Sequence, residues 1–186
     1  MKTMTFTASG DFRSWLAENH GQSDGILLRI YKKDSGVSTV TYAEALDQAL
    51  CFGWIDGQKE PYDKQSWLQK FTPRRPKSGW SKNNTRHVER LIRTGEMTPS
   101  GLKEVKAAKA DGRWKAAYDS FGNAAVPDDF IKELARNKKA NVFFETLNKT
   151  NLYSIAYRLQ TAKTPETRQR RTQAIIEKLA RGEKFH

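Results

Sequence analysis

The residues with chemistry to offer are few: His20, His87, His186, the single cysteine Cys51, and Asp56, set between glycines in "GWIDG". No two histidines stand four apart, and HExxH, Walker, GxGxxG and GxSxG patterns are all missing from the sequence. Cys51 falls late in an amphipathic stretch beside Phe52, where a small buried hydrophobe is expected in preference to a nucleophile. One cysteine also excludes an internal disulfide and a cysteine-rich metal site. The glycines around Asp56 would let its carboxylate approach a ligand, but a turn residue bonding a nearby N–H explains it equally, and the turn is preferred. Asp56 and His87 are the acid/base pair an enzyme acting on a small anionic substrate would use, although nothing in their spacing requires it. No catalytic residue, metal site or cofactor is therefore assigned.

Anion binding has more material. The 186 residues carry a formal charge of +12, and such an excess favours polyanionic partners. Much of it gathers between Lys70 and Arg93, where Glu89 is the one acidic residue. Within that region "FTPRRPKSGWSKNN" places Arg74 and Arg75 between Pro73 and Pro76. The prolines fix φ at both ends, which lowers the entropy cost of presenting two guanidiniums. Each guanidinium can grip phosphate or carboxylate with paired N–H bonds. Trp80 could stack on a planar group, and a helix starting near Ser81 would offer its first N–H groups to an anion.

The candidate anion-binding residues are accordingly Arg74, Arg75, Lys77, Trp80, Ser81, Lys82 and Asn83, with Asp56 nearby. The alternatives are internal: Arg74 or Arg75 paired with Asp56 or Asp63, and Trp80 filling the core. A second basic stretch, "RQRRTQAIIEKLARGEK", is expected to dock through Ile175, Ile176 and Leu179 with a solvated charged face. The expected partner is an anionic small molecule or an acidic protein, with nucleic acid as the alternative.

The elements that must position these groups can be read from periodicity and punctuation. "MTFTASG" opens with a short strand, and Ser9 or Asp11 can cap a helix burying Phe12 and Leu16. "GILLRIYKKDSG" reads as a strand closed by a turn. Thr41 and Glu44 form a capping-box pattern ahead of Ala45, Leu46, Ala49 and Leu50, and Gly53 stands at the helix stop. Residues 53–71 read as a hairpin turning near Pro61 to Asp63. From Ser81 onward six helical stretches follow, with Gly95 and Gly182 as stops and Pro127 and Pro165 as first-turn residues.

The expected class is α+β, with a small antiparallel sheet and packed helices in the N-terminal half and a helical C-terminal half. The expected organisation is an α+β domain over residues 1–120 and a helical region over 121–186, packed on it or loosely tethered. No membrane span and no secretory h-region can be read from the sequence, so a cytoplasmic protein is expected.

"GWIDG", "FTPRRPKSGWSKNN", Leu91, Gly95, Met97, Gly101, Gly112 and Trp114 together resemble the YdeI/OmpD-associated, or bacteriocin-protection, family. So does the later stretch with Pro127, Phe144, Ala162, Lys163, Thr167, Arg168 and Arg171. The resemblance implies a place in the wider CyaY-like and DUF1801-type α+β group. It also implies a link to protection against bacteriocins or cationic antimicrobial peptides and to an outer-membrane porin. It brings no catalytic residues; the expectation of a non-catalytic binding protein rests on the Pro-stiffened arginine pair running into a helix start.

Overall fold

A computed structural model describes residues 1–122 and 124–185; Asn123 and His186 lie outside the described residues. The chain divides into two compact units, one of Met1–Trp80 with Asn84–Lys115 and one of Ser81–Asn83 with Ala116–His186.

The first unit is built on four strands: β1 (Lys2–Met4), β2 (Ile26–Tyr31), β3 (Trp54–Pro61) and β4 (Ser66–Pro73), in the order β1-β2-β4-β3. β2 shows the alternation of a sheet with one core face, burying Ile26, Leu28 and Ile30. β4 pairs antiparallel with both β2 and β3, as a hairpin closed over residues 62–65 requires. The expected α+β class is present, and its sheet is mixed where antiparallel pairing was expected: β1 lies parallel to β2. The reason is the connection. Parallel neighbours need a crossover of a dozen or more residues, and helix α1 (Ser9–Asn19) supplies it.

Helix α1 starts one residue earlier than its cap signals suggested, with Ala8 as N-cap and Asp11 reaching back to the Ala8 N–H at 3.1 Å. It buries Phe12 and Leu16, each worth about 1.5–3 kcal/mol once removed from water. Helix α2 (Tyr42–Cys51) begins with the expected capping box. Thr41 Oγ1 accepts from the Glu44 N–H, and the Glu44 carboxylate accepts from the Thr41 N–H at 2.8 Å. Gly53 follows at φ 77, the left-handed stop that the sequence placed there.

Helices α3 (Lys82–Arg93) and α4 (Pro99–Ala110) come next. α4 approaches α2 very closely: Thr98 Oγ1 donates to the Cys51 carbonyl at 2.6 Å, and a Cβ on Gly101 would run into that same oxygen. Only glycine fits there.

The second unit contains α5 (Asp128–Leu134), α6 (Lys138–Glu145), α7 (Lys149–Gln160) and α8 (Pro165–Ala180). Asn137, Asn148 and Thr164 cap the last three, each accepting from a backbone N–H one turn on. Pro165 opens α8 as expected, whereas Pro127 sits one position outside α5, at its N-cap. Phe130, Leu134, Ile155, Leu159, Ile175 and Leu179 form its buried core. No helix among the described residues is long and apolar enough to cross a membrane.

Candidate functional site

The basic segment leaves the sheet at the end of β4, where the Arg74 N–H donates to the Gly53 carbonyl at 3.0 Å. From there the chain makes a tight turn: the Ser78 N–H donates to the Arg75 carbonyl at 3.1 Å, with Pro76 and Lys77 at the central positions. Lys77 has φ 64. Proline first and a positive φ second is the pattern of a type II turn, whose second central position normally holds glycine. Among the described residues Lys77 is the one non-glycine with positive φ. Arg75, Pro76 and Lys77 are exposed.

The two arginines of the pair have separate fates. Arg74 is 7% exposed, and its guanidinium carbon lies 3.4 Å from the centroid of the Trp80 ring. Its Nη1 donates to the Gly79 carbonyl at 3.2 Å. Trp80 is itself buried and meets Trp114 at a centroid distance of 4.9 Å, with Lys109 5.2 Å beyond the Trp114 centroid. Arg113 adds a second tie, donating from Nη1 to the Ser78 carbonyl at 2.9 Å while its Nε holds Asp111 at 2.7 Å. The loop is thus pinned at its base by Arg74 over Trp80, which meets Trp114 at a tilted 54°, and at Ser78 by Arg113. Ser78 Oγ and Trp80 Nε1 are buried there with no hydrogen-bond partner among the described residues.

The other candidates lie elsewhere. Ser81, Lys82 and Asn83 belong to the second unit. Ser81 is buried, and Asn83 is half-buried. The Lys82 N–H, the first of α3, donates to the Tyr118 carbonyl at 2.8 Å, and Lys82 Nζ pairs with Asp119 at 2.8 Å. Asp56 lies within β3 opposite Phe71, so the expected turn assignment is corrected by strand pairing with β4. Its carboxylate accepts from the Tyr42 hydroxyl at 2.8 Å. Burial first, then the Asp56 charge and hydrogen bond, push the Tyr42 phenol well above its ordinary value.

Asp63, the other acid that could have met the arginine pair, is held by Arg29 at 2.6 Å. His87 pairs with Asp47 at 2.7 Å, and Arg90 shares that carboxylate at 2.6 Å. Asp56 and His87 therefore have different partners. Cys51 is fully buried, as its place in α2 implied, and burial pushes its thiol up. Arg113 and Lys109 escaped sequence reasoning, because about thirty residues separate them from the turn they support.

Residues 4–104, more than half of the chain, match the model of a family described as a domain of unknown function (DUF8412). The chain belongs to this family. The DUF8412 match contains the whole of the turn and its Trp80 base. Residues 123–182 match a second family, described as "Bacteriocin-protection, YdeI or OmpD-Associated", which supports the resemblance for the C-terminal part.

Among curated proteins the chain is similar to an enolase-phosphatase E1 of Neurospora crassa. The two are 30% identical over 111 residues, covering 55% of this chain and 47% of the relative. The enolase-phosphatase E1 of Sordaria macrospora is 29% identical over the same coverage. The chain thus spans about half the length of the curated relatives it matches. No solved structure gives a significant match.

Proposed function

We propose that the protein is a non-catalytic binding protein that engages an acidic partner protein through the Arg75–Pro76–Lys77 turn. The observation that carries this reading is Lys77 at φ 64. A left-handed conformation costs a side-chain-bearing residue about 1–2 kcal/mol, and glycine would avoid that cost. Such strain persists where the surroundings over-determine the backbone and where the side chain has a use. Pro76, the buried Arg74–Trp80 stack and the Arg113 tie provide the over-determination. The charge of Lys77, beside that of exposed Arg75, provides the use. An exposed turn offers no enclosure for a small molecule, whereas a rigid pair of cations suits an acidic surface.

The bacteriocin-protection association fits this reading only indirectly. A chain of net charge +12 repels cationic peptides, so a protective role would run through an acidic partner.

The test is binding of polyglutamate, and in parallel of a single-stranded DNA oligonucleotide, to the full chain and to its Arg75→Ala/Lys77→Ala variant across a salt series. Polyglutamate affinity should fall roughly tenfold in the variant, the loss of two charge-assisted contacts. Equal affinity in the two proteins overturns the proposal. Retention of DNA alone, with steep salt dependence, replaces it with nucleic-acid binding.

A further inference from the structure

The helical unit holds a cavity of about 850 Å³ that the sequence did not announce. Its walls come from α7, α8 and the segments beside them, and the lining is of two kinds. One kind is aromatic: Tyr153 and Tyr157 on α7, one turn apart, with Phe121 edge-on to Tyr153 at a centroid distance of 5.3 Å. Tyr157 is 39% exposed and Phe121 46%, an unusual share of open ring surface for one spot. The other kind is cationic: Arg158, Arg171 and Lys178. The lining contains no carboxylate.

Among the described residues, some cations of this unit are neutralised by a carboxylate and some are not. In the same unit Arg168 grips Asp129 at 2.7 Å, Arg136 pairs with Glu133 at 2.7 Å, and Arg181 with Glu183 at 2.8 Å. Arg158, Arg171 and Lys178 form no ion pair among the described residues. They are nonetheless held in place. Arg158 Nη1 donates to the Ser154 carbonyl at 3.1 Å, and Arg171 Nη1 donates to the Arg158 carbonyl at 2.6 Å. Arg158 and Lys178 both lie over the Phe185 ring, at 4.6 and 5.0 Å from its centroid. Phe185 is fastened in turn by its N–H to the buried Asn151 Oδ1 at 2.8 Å. The cavity thus joins three positioned cations, none in an ion pair among the described residues and with Glu183 acting on Lys178 only from beyond ion-pair distance, to ring surface that is partly open to solvent.

We infer that this cavity binds a nucleotide-class ligand, a planar ring joined to phosphate. Its volume falls within the few hundred to about 1,000 Å³ of small-molecule sites. Guanidiniums suit phosphate oxygens through paired N–H bonds, and three cations call for more charge than one carboxylate carries. Stacking on an aromatic side chain is worth about 1–3 kcal/mol per base and does not depend on ring identity. The site lies wholly in the second unit and stands independently of the turn of the first.

Calorimetric titration of the full chain with ADP, adenosine and pyrophosphate tests it. ADP should bind at least tenfold more tightly than either half, because stacking and phosphate contacts reinforce each other only when joined. Tyr157→Ala and Lys178→Gln, both outside the core and checked for native melting, should each weaken ADP about tenfold. The Arg75→Ala/Lys77→Ala variant should bind ADP as the parent does. No heat at millimolar ADP overturns the inference. So does pyrophosphate binding as tightly as ADP, affinity indifferent to both cavity substitutions, or ADP binding abolished by the turn variant.

Discussion

The guanidinium carbon of Arg74 lies 3.4 Å from the centroid of Trp80, and both side chains are buried. Arg75, the next residue, is exposed. Two adjacent arginines thus do unlike work, one as a structural pillar and the other as a surface charge, and they separate in a simple experiment. Arg74→Ala removes a desolvated cation–π contact worth about 2 kcal/mol and a hydrogen bond to Gly79 worth about 1. Urea unfolding should show a loss of about 2–3 kcal/mol for Arg74→Ala, against about 0.5 kcal/mol or less for Arg75→Ala.

Lys77 offers a test of strain. Lys77→Gly relieves a left-handed cost of about 1–2 kcal/mol, while the greater freedom of glycine in the unfolded chain returns about half of that. A net gain of about 0.5–1 kcal/mol, or roughly 1–4 °C in Tm for a chain of this size, is expected by calorimetry. Polyglutamate binding should weaken in the same protein. A variant that becomes more stable as it binds less would separate backbone strain from charge.

The Arg168–Asp129 pair gives the helical unit an acid dependence. Hydrogen bonding to Arg168, opposed by a little burial, holds the Asp129 carboxyl below its ordinary 3.8. A depressed carboxylate contributes stability that is fully present above its unfolded value and is lost as pH falls through the folded one. Asp129 is largely exposed, so solvent screening keeps the contribution to about 0.5 kcal/mol. Asp129→Asn should therefore unfold at lower urea than the parent at pH 7. The two should converge as pH falls well below 3.8, in matched denaturation series.

Element type and order were legible in the sequence because they rest on local physics. The Thr41–Glu44 capping box, the Gly53, Gly95 and Gly182 stops and the Pro165 helix start are all found where their short-range signals put them. So are the six helices after Ser81, whose apolar periodicity needs no knowledge of distant partners. The parallel β1–β2 pairing was not legible, since it depends on where α1 returns the chain.

The candidate site divides along the same line. That residues 71–84 form a stiff cationic segment bearing a tryptophan follows from proline and composition alone. Which arginine is buried does not, because Arg74 is chosen by Trp80 and by the distant Arg113 and Trp114 that hold the loop and its tryptophan. Charge counts side chains; only packing decides which of them are left facing solvent. The cavity of the helical unit makes the same point. Arg171 and Lys178 belong to the stretch expected to present a solvated helix face, and only the packing of α8 beside α7 brings them to one cavity with Tyr153, Tyr157 and Arg158.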